Sequence, residues 1–478
     1  MQQGCHDDSG GEAMKFAMIA AALLVALPAQ AQEALVDELR RENAQLRAEI
    51  AALRAEGAGQ CDAGAAFGAA DQTVTLLMQK LSQLHDDSAV AALGPPPSPI
   101  VLPDSVLGSL VPNQYILTLA DGFGPIGGPQ DAASAFGLSP DQVLFTYSRV
   151  LNGFSAVLSD ADRARLAADP RIAGVEQDGF VFPAQETASV APSGADVAAP
   201  LLPPSPDFVD VYVFDSGIRA GHSALNGLVG QGFTSFRNGI GTEDCNGHGT
   251  HVAGLVGGRQ FGQTAKARLI SVKVLDRDSY GDVSTLIAGV EWVLAQKGAR
   301  KIANLSLTRL DPAPVGEALI DRAVLALMDA GIPVVVAAGN SASDARLYSP
   351  ARLPEAITVG AMDGGELAAS SNSGEGVDFY IEGAKVPSAS LADSCGYERM
   401  TGTSMATARV TGLAVDVLAG GVAPEELAQA LADQASLQDT GDFAGEVQRM
   451  VLTPLASAEA ELCDGQGREV QPTPPKGG

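Results

Sequence analysis

The alternation of apolar and polar residues predicts most of the folded part of this chain. From residue 207 onward, apolar runs are separated by segments of helical periodicity, and the runs read DVYVF, LISVKVL, IANLSL, IPVVVAA and AITVGA. Their Val and Ile content predicts strands, and helices are predicted to begin near Thr250, Ser284, Val315 and Thr403. Buried strands alternating with helices indicate an α/β fold, a parallel sheet with helices on both faces. We assign this domain to residues 207–455.

The segment 111–182 predicts a second, smaller domain. It contains a strand-like YILTL, a helix around Ala132, the run LFTYSRVLNGFSAVL, a helix in DADRARLAADP and a final IAGVEQDGFVF. The order strand, helix, strand, strand, helix, strand fits a small α+β domain. Residues 183–206 are rich in Pro, Ala and Ser and are predicted to be an exposed linker.

The heptad pattern of residues 35–56 predicts a short coiled coil within a helix over residues 32–60. Apolar residues and one Asn occupy the core positions, with Arg at e and Glu at g in signs that match across a parallel pair. We therefore expect a homodimer through residues 35–56. A single solvated helix is the alternative, because three heptads are marginal. A second helix and a proline-rich linker are expected over residues 61–110, and a flexible tail over residues 456–478.

Residues 1–31 are predicted to form a signal-peptide region whose true start is Met14. The segment MKFAMIAAALLVALPAQA has a basic start at Lys15, an apolar stretch and the small-residue cleavage site Ala29-Gln30-Ala31. Its apolar stretch is too short for a stable membrane anchor. We therefore expect export, so that the protein is secreted or periplasmic.

Composition narrows the possible partners. The formal net charge of −27 argues against nucleic acid or an anionic membrane as a partner. A hydrophobic content of 46% allows a sizeable core.

Four cysteines follow the predicted cleavage site, namely Cys61, Cys245, Cys395 and Cys463. They could form disulfides in three different pairings, and the sequence does not choose among these pairings.

Four motifs in one order suggest a chemistry: VYVFDSG, NGHGTHVAG, VVVAAGN and GTSMA. A serine nucleophile needs a base, a carboxylate that fixes the tautomer of that base, and donors for the oxyanion. Ser404, His248, Asp215 and Asn340 are the candidates for nucleophile, base, carboxylate and side-chain donor. The competing interpretations are His251 as the base, Ser404 as a helix N-cap and Asn340 as a turn residue.

These motifs resemble those of the subtilisin-like (S8) serine peptidases, with the proteinase K branch nearest. DCNGHGTHVAG, VKVLD, IAGVEWV, YSPAR and AITVGA are similar to that branch, and the chain order Asp, His, Ser is the one found in subtilisin. Residues 111–182 resemble an I9-type propeptide. The resemblance implies a secreted serine endopeptidase that is made as a zymogen, cleaves polypeptides, needs no catalytic cofactor and is inhibited by its own propeptide. A non-catalytic, oligomeric binding protein on a peptidase fold is the alternative.

The resemblance also implies where substrate binds. A peptide would add as a strand between two edge segments, and the expected contacts are Tyr280, Gly281, Ser306, Leu307, Thr308, Ala337 and Gly339. Family members usually read SLGG where this chain reads SLTR. We expect Thr308 to crowd the pocket for the residue before the cleaved bond (P1). We expect Arg309 to face solvent, with attraction for acidic substrate residues as the alternative.

Processing and calcium binding are the last two expectations. Self-cleavage is expected between about Phe182 and Phe208, where the chain is predicted to be exposed. The resemblance implies a structural calcium site formed by the carbonyl groups of Pro354 and Ala356 and the carboxylate of Asp378. The alternative is that Asp378 is a surface turn residue.

Overall fold

A computed structural model describes residues 110–453, apart from residues 185, 191–207, 238, 299, 312–315, 317, 392–393 and 443–444. These residues all belong to one compact unit, Pro99–Gly478. The predicted signal-peptide region, the coiled-coil helix with its homodimer, the helix and linker before residue 110 and the C-terminal tail lie outside the described residues.

The small domain has the predicted order of elements. They are β1 (Leu110–Leu119), α1 (Pro129–Phe136), β2 (Val143–Tyr147), β3 (Gly153–Val157), α2 (Asp160–Ala167) and β4 (Ile172–Pro183). The strands form an antiparallel sheet in the order β2-β3-β1-β4. Its core contains Leu117, Phe136, Phe154 and Leu166, all nearly inaccessible to solvent. The alternating apolar side chains of the strands therefore meet one apolar face of each helix.

The large domain is built on a mixed sheet whose centre is parallel. Its strands are β6 (Val209–Asp215), β7 (Phe233–Thr234), β8 (Ala267–Lys273), β10 (Lys301–Leu305), β12 (Val334–Ala337), β14 (Ile357–Asp363), β16 (Phe379–Glu382), β19 (Ser436–Asp442) and β20 (Gly445–Val451). Within the described residues their order in the sheet is β19-β20-β16-β14-β12-β10-β6-β8-β7. A short strand, β15 (Glu366–Leu367), pairs with β14.

Helices cover both faces of this sheet. They are α3 (His248–Gly257), α4 (Val283–Ala295), α5 (Leu319–Asp329), α6 (Thr403–Ala419) and α7 (Leu427–Ala432). Alternate residues of β6 point to opposite faces: Val211 and Val213 pack with α3 and α6, whereas Tyr212 and Phe214 pack with α4 and α5. The predicted α/β fold is confirmed. Helix α5 was expected to begin near Val315, and it begins four residues later, at Leu319.

Strand β4 also reaches into the large domain. Its first part pairs with β1, and its last residues pair with β9 (Gly281–Asp282) on one side and β11 (Leu307–Leu310) on the other. On its other edge β11 pairs with β13 (Tyr348–Ser349). After Ala184 the chain pairs again, since β5 (Glu186–Val190) joins β18 (Tyr397–Thr401) beside β17 (Val386–Ala389).

This pairing corrects the expectation that an exposed linker begins at residue 183. Pro183 is the last residue of β4, and Ala184 is only 2% exposed. The prediction was wrong because Pro, Ala and Ser are typical of linkers, whereas backbone hydrogen bonds to an edge strand require no particular side chain.

Candidate active site

Asp215 and His248 meet at the carboxyl end of the central strands. Asp215 ends β6 and His248 begins α3, and both side chains are buried. Nδ1 of His248 lies 2.7 Å from Oδ1 of Asp215, which also accepts a hydrogen bond from the backbone N–H of Ser216. A carboxylate in this position keeps the proton on Nδ1, so that Nε2 is free to accept one.

The loop before α3 holds His248 in place through a second carboxylate, that of Asp244. It accepts hydrogen bonds from the backbone N–H groups of Asn246, Gly247 and Thr250, and from the hydroxyl groups of Ser216 and Thr250. A carboxylate at a helix N-terminus is favoured by the exposed N–H groups and the helix dipole. The sequence analysis did not assign Asp244 a role, although an acid four residues before His248 is a possible helix-start signal.

His251 lacks the geometry of a catalytic base. It is fully buried, and its Nε2 lies 3.0 Å from the carbonyl oxygen of Val386. Burial, together with the neighbouring His248, lowers the pKa of His251 to about 3. Its imidazole is therefore neutral at ordinary pH and is tied to the β17 backbone.

Asn340 follows β12 and faces the N-terminus of α6. Its Oδ1 accepts a hydrogen bond of 3.0 Å from the backbone N–H of Thr403, and its buried Nδ2 has no hydrogen-bond partner among the described residues. Asn372 fixes the loop that carries Asn340, because its side chain accepts from the N–H groups of Ser341 and Ser343 and donates to the carbonyl group of Ala338. Asn372 was missed by the sequence analysis, since it lies 32 positions away in an unremarkable polar run.

Ser404 is the second residue of α6 and is buried. Its hydroxyl donates to the carbonyl oxygen of Ser306 at 3.1 Å, while Nε2 of His248 has no hydrogen-bond partner among the described residues. The backbone N–H of Ser404 donates to the carbonyl oxygen of Ala184 at 2.9 Å. The N-terminus of α6 therefore presents a donor to a carbonyl group of the protein's own chain.

The end of β4 fills the groove expected for substrate. Phe182 and Pro183 pair with Thr308 and Leu307 of β11, and the N–H of Ala184 donates to the carbonyl oxygen of Ser306 at 3.0 Å. On the other side, Val181 pairs with Gly281 of β9. The ring of Tyr280 contacts Phe180 and Phe182 edge-on, with centroid distances of 6.3 and 5.7 Å. The protein's own β4 is therefore added as a strand between β9 and β11, the arrangement that the resemblance implies for a substrate.

Thr308, which was expected to crowd the pocket for the P1 residue, lies on β11. It is 3% exposed, and its Oγ1 lies 3.5 Å from the carbonyl oxygen of Ser349 on β13, the strand paired with the edge of β11 away from β4. Of the expected pocket wall, Ala337 ends β12 and Gly339 has the positive φ of 102° that glycine favours. A Cβ on Gly339 would lie 2.4 Å from Nδ2 of Asn372, so a larger residue would displace the loop that carries Asn340.

Arg309 is buried, contrary to the expectation that it faces solvent. It is 5% exposed, its Nη1 donates to the carbonyl oxygen of Phe180 at 3.3 Å, and its Nε lies 3.3 Å from Oδ2 of Asp311. The expectation was wrong because β4 covers the side chain, and pairing between these strands could not be read from the local sequence.

Carboxylates from both domains hold the small domain against α4. Oε1 of Glu291 accepts hydrogen bonds from three consecutive N–H groups of the β2–β3 turn, residues 148–150. From β4, Oδ1 of Asp178 accepts from the N–H of Ser284 in the first turn of α4. Nε2 of Gln114 lies 2.8 Å from Oδ2 of Asp178 and 2.8 Å from Oδ2 of Asp282, so one amide bridges two acids.

Asp378, the carboxylate of the expected calcium site, lies where the amino ends of β14 and β16 meet. Oδ2 of Asp378 accepts the N–H of Thr358 at 2.7 Å, and the N–H of Asp378 donates to the carbonyl oxygen of Thr358. Ala356 lies two residues before Thr358 and is buried, whereas Pro354 is exposed. Among the described residues no group of three or more His, Cys, Asp or Glu side chains could hold a metal. One carboxylate with two carbonyl oxygens fits Ca²⁺ as a donor set.

Comparisons with known proteins match both domains. A model described as "Subtilase family" matches residues 208–451, and a model described as "Peptidase inhibitor I9" matches residues 129–183. The two matched ranges flank the segment that contains Ala184 and the strand β5.

Similar proteins have been named in bacteria and in a fungus. An "Extracellular serine proteinase" of Thermus sp. (strain Rt41A) is 37% identical over 61% of this chain and 72% of its own length. An "Alkaline serine exoprotease A" of Vibrio alginolyticus is 32% identical over 71% of this chain and 64% of its own length. A "Proteinase R" of Parengyodontium album is 31% identical over 66% of this chain and 81% of its own length. The similarity thus extends over both domains in the two longer matches.

Proposed function

The chain belongs to the subtilase family, and from that membership we propose that it is a secreted serine endopeptidase made as a zymogen. Family members need no cofactor for catalysis, and the I9 domain is an intramolecular inhibitor of the peptidase. We assign Ser404 as the nucleophile, His248 as the general base, Asp215 as the carboxylate that orients His248, and Asn340 as an oxyanion donor.

One observation carries this assignment: the carbonyl oxygen of Ala184 accepts a hydrogen bond of 2.9 Å from the N–H of Ser404. The helix of Ser404, α6, packs in one core with α3, the helix that begins at His248, the partner of Asp215. A carbonyl group held by such a donor is polarised for attack. In addition, the buried atoms without a hydrogen-bond partner in the described site include Nε2 of His248 and Nδ2 of Asn340. These are the two atoms that would accept the serine proton and bind the oxyanion.

The reaction follows from these positions. The hydroxyl of Ser404 first turns from the carbonyl oxygen of Ser306 and donates its hydrogen bond to Nε2 of His248 instead. As Oγ of Ser404 attacks the substrate carbonyl carbon, Nε2 of His248 takes the hydroxyl proton. The oxyanion accepts hydrogen bonds from the N–H of Ser404 and from Nδ2 of Asn340. His248 then gives the proton to the leaving amine, the acyl-enzyme forms, and water repeats the sequence to release the acid.

The same contacts support a proposal for the bond that the precursor cuts in itself: we propose that it is Ala184–Gln185. The N–H of Ala184 is bound to Ser306 and its carbonyl oxygen to Ser404, so Ala184 occupies the position before the scissile bond. Val181, Phe182 and Pro183 precede it in the groove as residues P4, P3 and P2. After cleavage, the small domain would stay bound and inhibit the enzyme until it is removed.

The test is to express the full chain with Ser404→Ala and to compare it with wild type. We expect the variant to accumulate uncut and to lose about 10⁶-fold in turnover, while N-terminal sequencing of the processed wild type begins at Gln185. A fluorophosphonate should label wild type and the control Ser148→Ala, which changes an exposed serine of the small domain, but not Ser404→Ala. Wild-type rates in Ser404→Ala, or a mature enzyme beginning at Gln32, would refute the proposal. A wild-type protein that neither cleaves polypeptides nor reacts with the fluorophosphonate would favour a non-catalytic binding protein on a peptidase fold.

Three finer points are also proposals. Export by a signal peptide over residues 1–31 accords with a relative named as extracellular. No helix in the described part of the chain is long and apolar enough to cross a membrane. A structural calcium ion would be held by Pro354, Ala356 and Asp378, where it would tie β14 to β16. A homodimer through residues 35–56 would be detected by sedimentation before and after processing.

A further inference from the structure

The buried guanidinium of Arg309 contacts the bound segment far from the catalytic serine. Its Nη1 donates to the carbonyl oxygen of Phe180, the fifth residue before the bond assigned as scissile (P5). The ion pair with Asp311 holds the side chain from the other side. Asp311 is itself close to a second cation, Arg352, at 3.9 Å. When β4 covers it, the guanidinium therefore contacts the carbonyl group of Phe180 through Nη1 and the carboxylate of Asp311 through Nε.

The residue before Phe180 is a glycine, and Arg309 occupies the space where its side chain would be. A Cβ built on Gly179 would lie 1.5 Å from Nη1, 2.4 Å from Cζ and 2.8 Å from Nη2 of Arg309. The end of a flexible side chain can move, but here movement would break the contact with the Phe180 carbonyl group and leave a buried cation with one partner fewer. A side chain at this position (P6) is therefore disfavoured.

We infer that Arg309 forms a specificity subsite that binds the main chain of residue P5 and selects glycine at residue P6. This inference rests on the proposed peptidase function and extends it to a substrate class: extended polypeptide segments with at least six residues before the cleaved bond and glycine at the sixth. Peptides that end at residue P4 do not reach Arg309, so their hydrolysis is independent of it.

Three quenched fluorescent peptides test this inference with the processed enzyme. The first has the protein's own sequence QDGFVFPAQE, the second has alanine in place of glycine, and the third is the truncated VFPAQE. We expect wild type to cleave the glycine peptide about tenfold faster in kcat/KM than the alanine peptide, a difference typical of one crowded contact. Arg309→Gly should cleave the glycine and alanine peptides equally. Arg309→Lys should retain only part of the preference, because a lysine lacks the planar fork.

The precursor provides a second measurement that needs no added peptide. Gly179→Ala should slow self-processing, and the double variant with Arg309→Gly should restore the rate. Arg268→Gln is a matched control, because Arg268 pairs with Asp210 at the opposite, amino-terminal edge of the sheet. It should leave the glycine preference unchanged.

The outcomes separate this inference from the proposed function. If VFPAQE is cleaved and wild type cuts the glycine and alanine peptides at the same rate, Arg309 is not a specificity residue and the peptidase function stands. The inference would also be overturned if the Arg309→Gly enzyme preferred the glycine peptide over the alanine peptide as strongly as wild type does. If no peptide is cleaved and fluorophosphonate does not label Ser404, the proposed function fails, and the inference fails with it.

Discussion

Binding of the small domain should weaken as pH rises, because of the acid pair between β4 and α4. Asp178 is fully buried, and burial, followed by the nearby Asp282, raises its pKa to about 7. Hydrogen bonds from Gln114, Ser284 and Gly179 oppose this rise. The other titratable group facing the pair is Tyr147, whose pKa burial raises well above its usual value, so it stays neutral.

The direction follows from the pKa in the bound and free states. In the free small domain Asp178 is expected to titrate near the ordinary value of about 3.9. Because the pKa is raised in the complex, the protonated acid is favoured there, and the complex is most stable at low pH. Its free energy of association falls by about 1.4 kcal/mol per pH unit between these two values, which is tenfold in the inhibition constant. Above about pH 7.5 the dependence should level off.

The assay is inhibition of the processed enzyme by segment 110–184, with Asp178→Asn as the matched segment that cannot ionise. The ratio of the two inhibition constants, wild-type segment over variant, removes the effects of groups that titrate in both measurements. We expect this ratio to rise about tenfold from pH 5.5 to 6.5 and to be constant above about pH 7.5. A ratio that does not change with pH would refute the reasoning, as would a ratio that falls.

Three further predictions concern the catalytic domain. Asn340→Leu should lower kcat by about 10²–10³ with little change in KM; unchanged steady-state turnover would exclude Asn340 as an oxyanion donor. In a library varied at P1, wild type should favour small or medium aliphatic residues, and Thr308→Gly should gain about 1–3 kcal/mol for Phe; equal preference for Phe in both enzymes would contradict the pocket assignment. Calcium in excess should raise the melting temperature over that in EGTA, and Asp378→Asn should reduce the difference; no difference in wild type would count against a calcium site.

The sequence was sufficient to predict the sheet and its helices, and it proposed catalytic residues at the ends of two of the strands. Buried parallel strands such as β6 and β12 are apolar on both faces, so they stand out as Val-rich runs even without alternation. Asp215 ends β6 and Asn340 comes three residues after the end of β12. The carboxyl ends of parallel strands meet at one edge of a sheet. Local sequence patterns were therefore enough to predict that residues far apart in the sequence lie at the same edge of the sheet.

Contacts between the domains were not predictable in the same way. Asp178 and Asp282 lie 104 positions apart, and each alone resembles an ordinary surface acid. Ala184 lies in a segment of linker-like composition, and it is placed by the pairing of β4 with β11 and by backbone hydrogen bonds to Ser306 and Ser404. A shift of the register between β4 and β11 by one residue would exchange every inward and outward side chain. The sequence contains no local indication of such a register, so the processing bond required the structure.

The register also explains why two neighbouring residues of β11, under the proposed function, would select for different ends of one substrate. Thr308 and Arg309 replace the two glycines usual at this point of the family, and successive side chains of a strand point to opposite faces. Thr308 reaches the carbonyl group of Ser349 beside the P1 pocket, whereas Arg309 reaches the carbonyl group of Phe180. A cleft narrowed in both places should prefer a small P1 residue and a glycine at P6. The protein's own segment has Ala184 and Gly179 at these positions, so the first polypeptide that the enzyme meets already satisfies both restrictions.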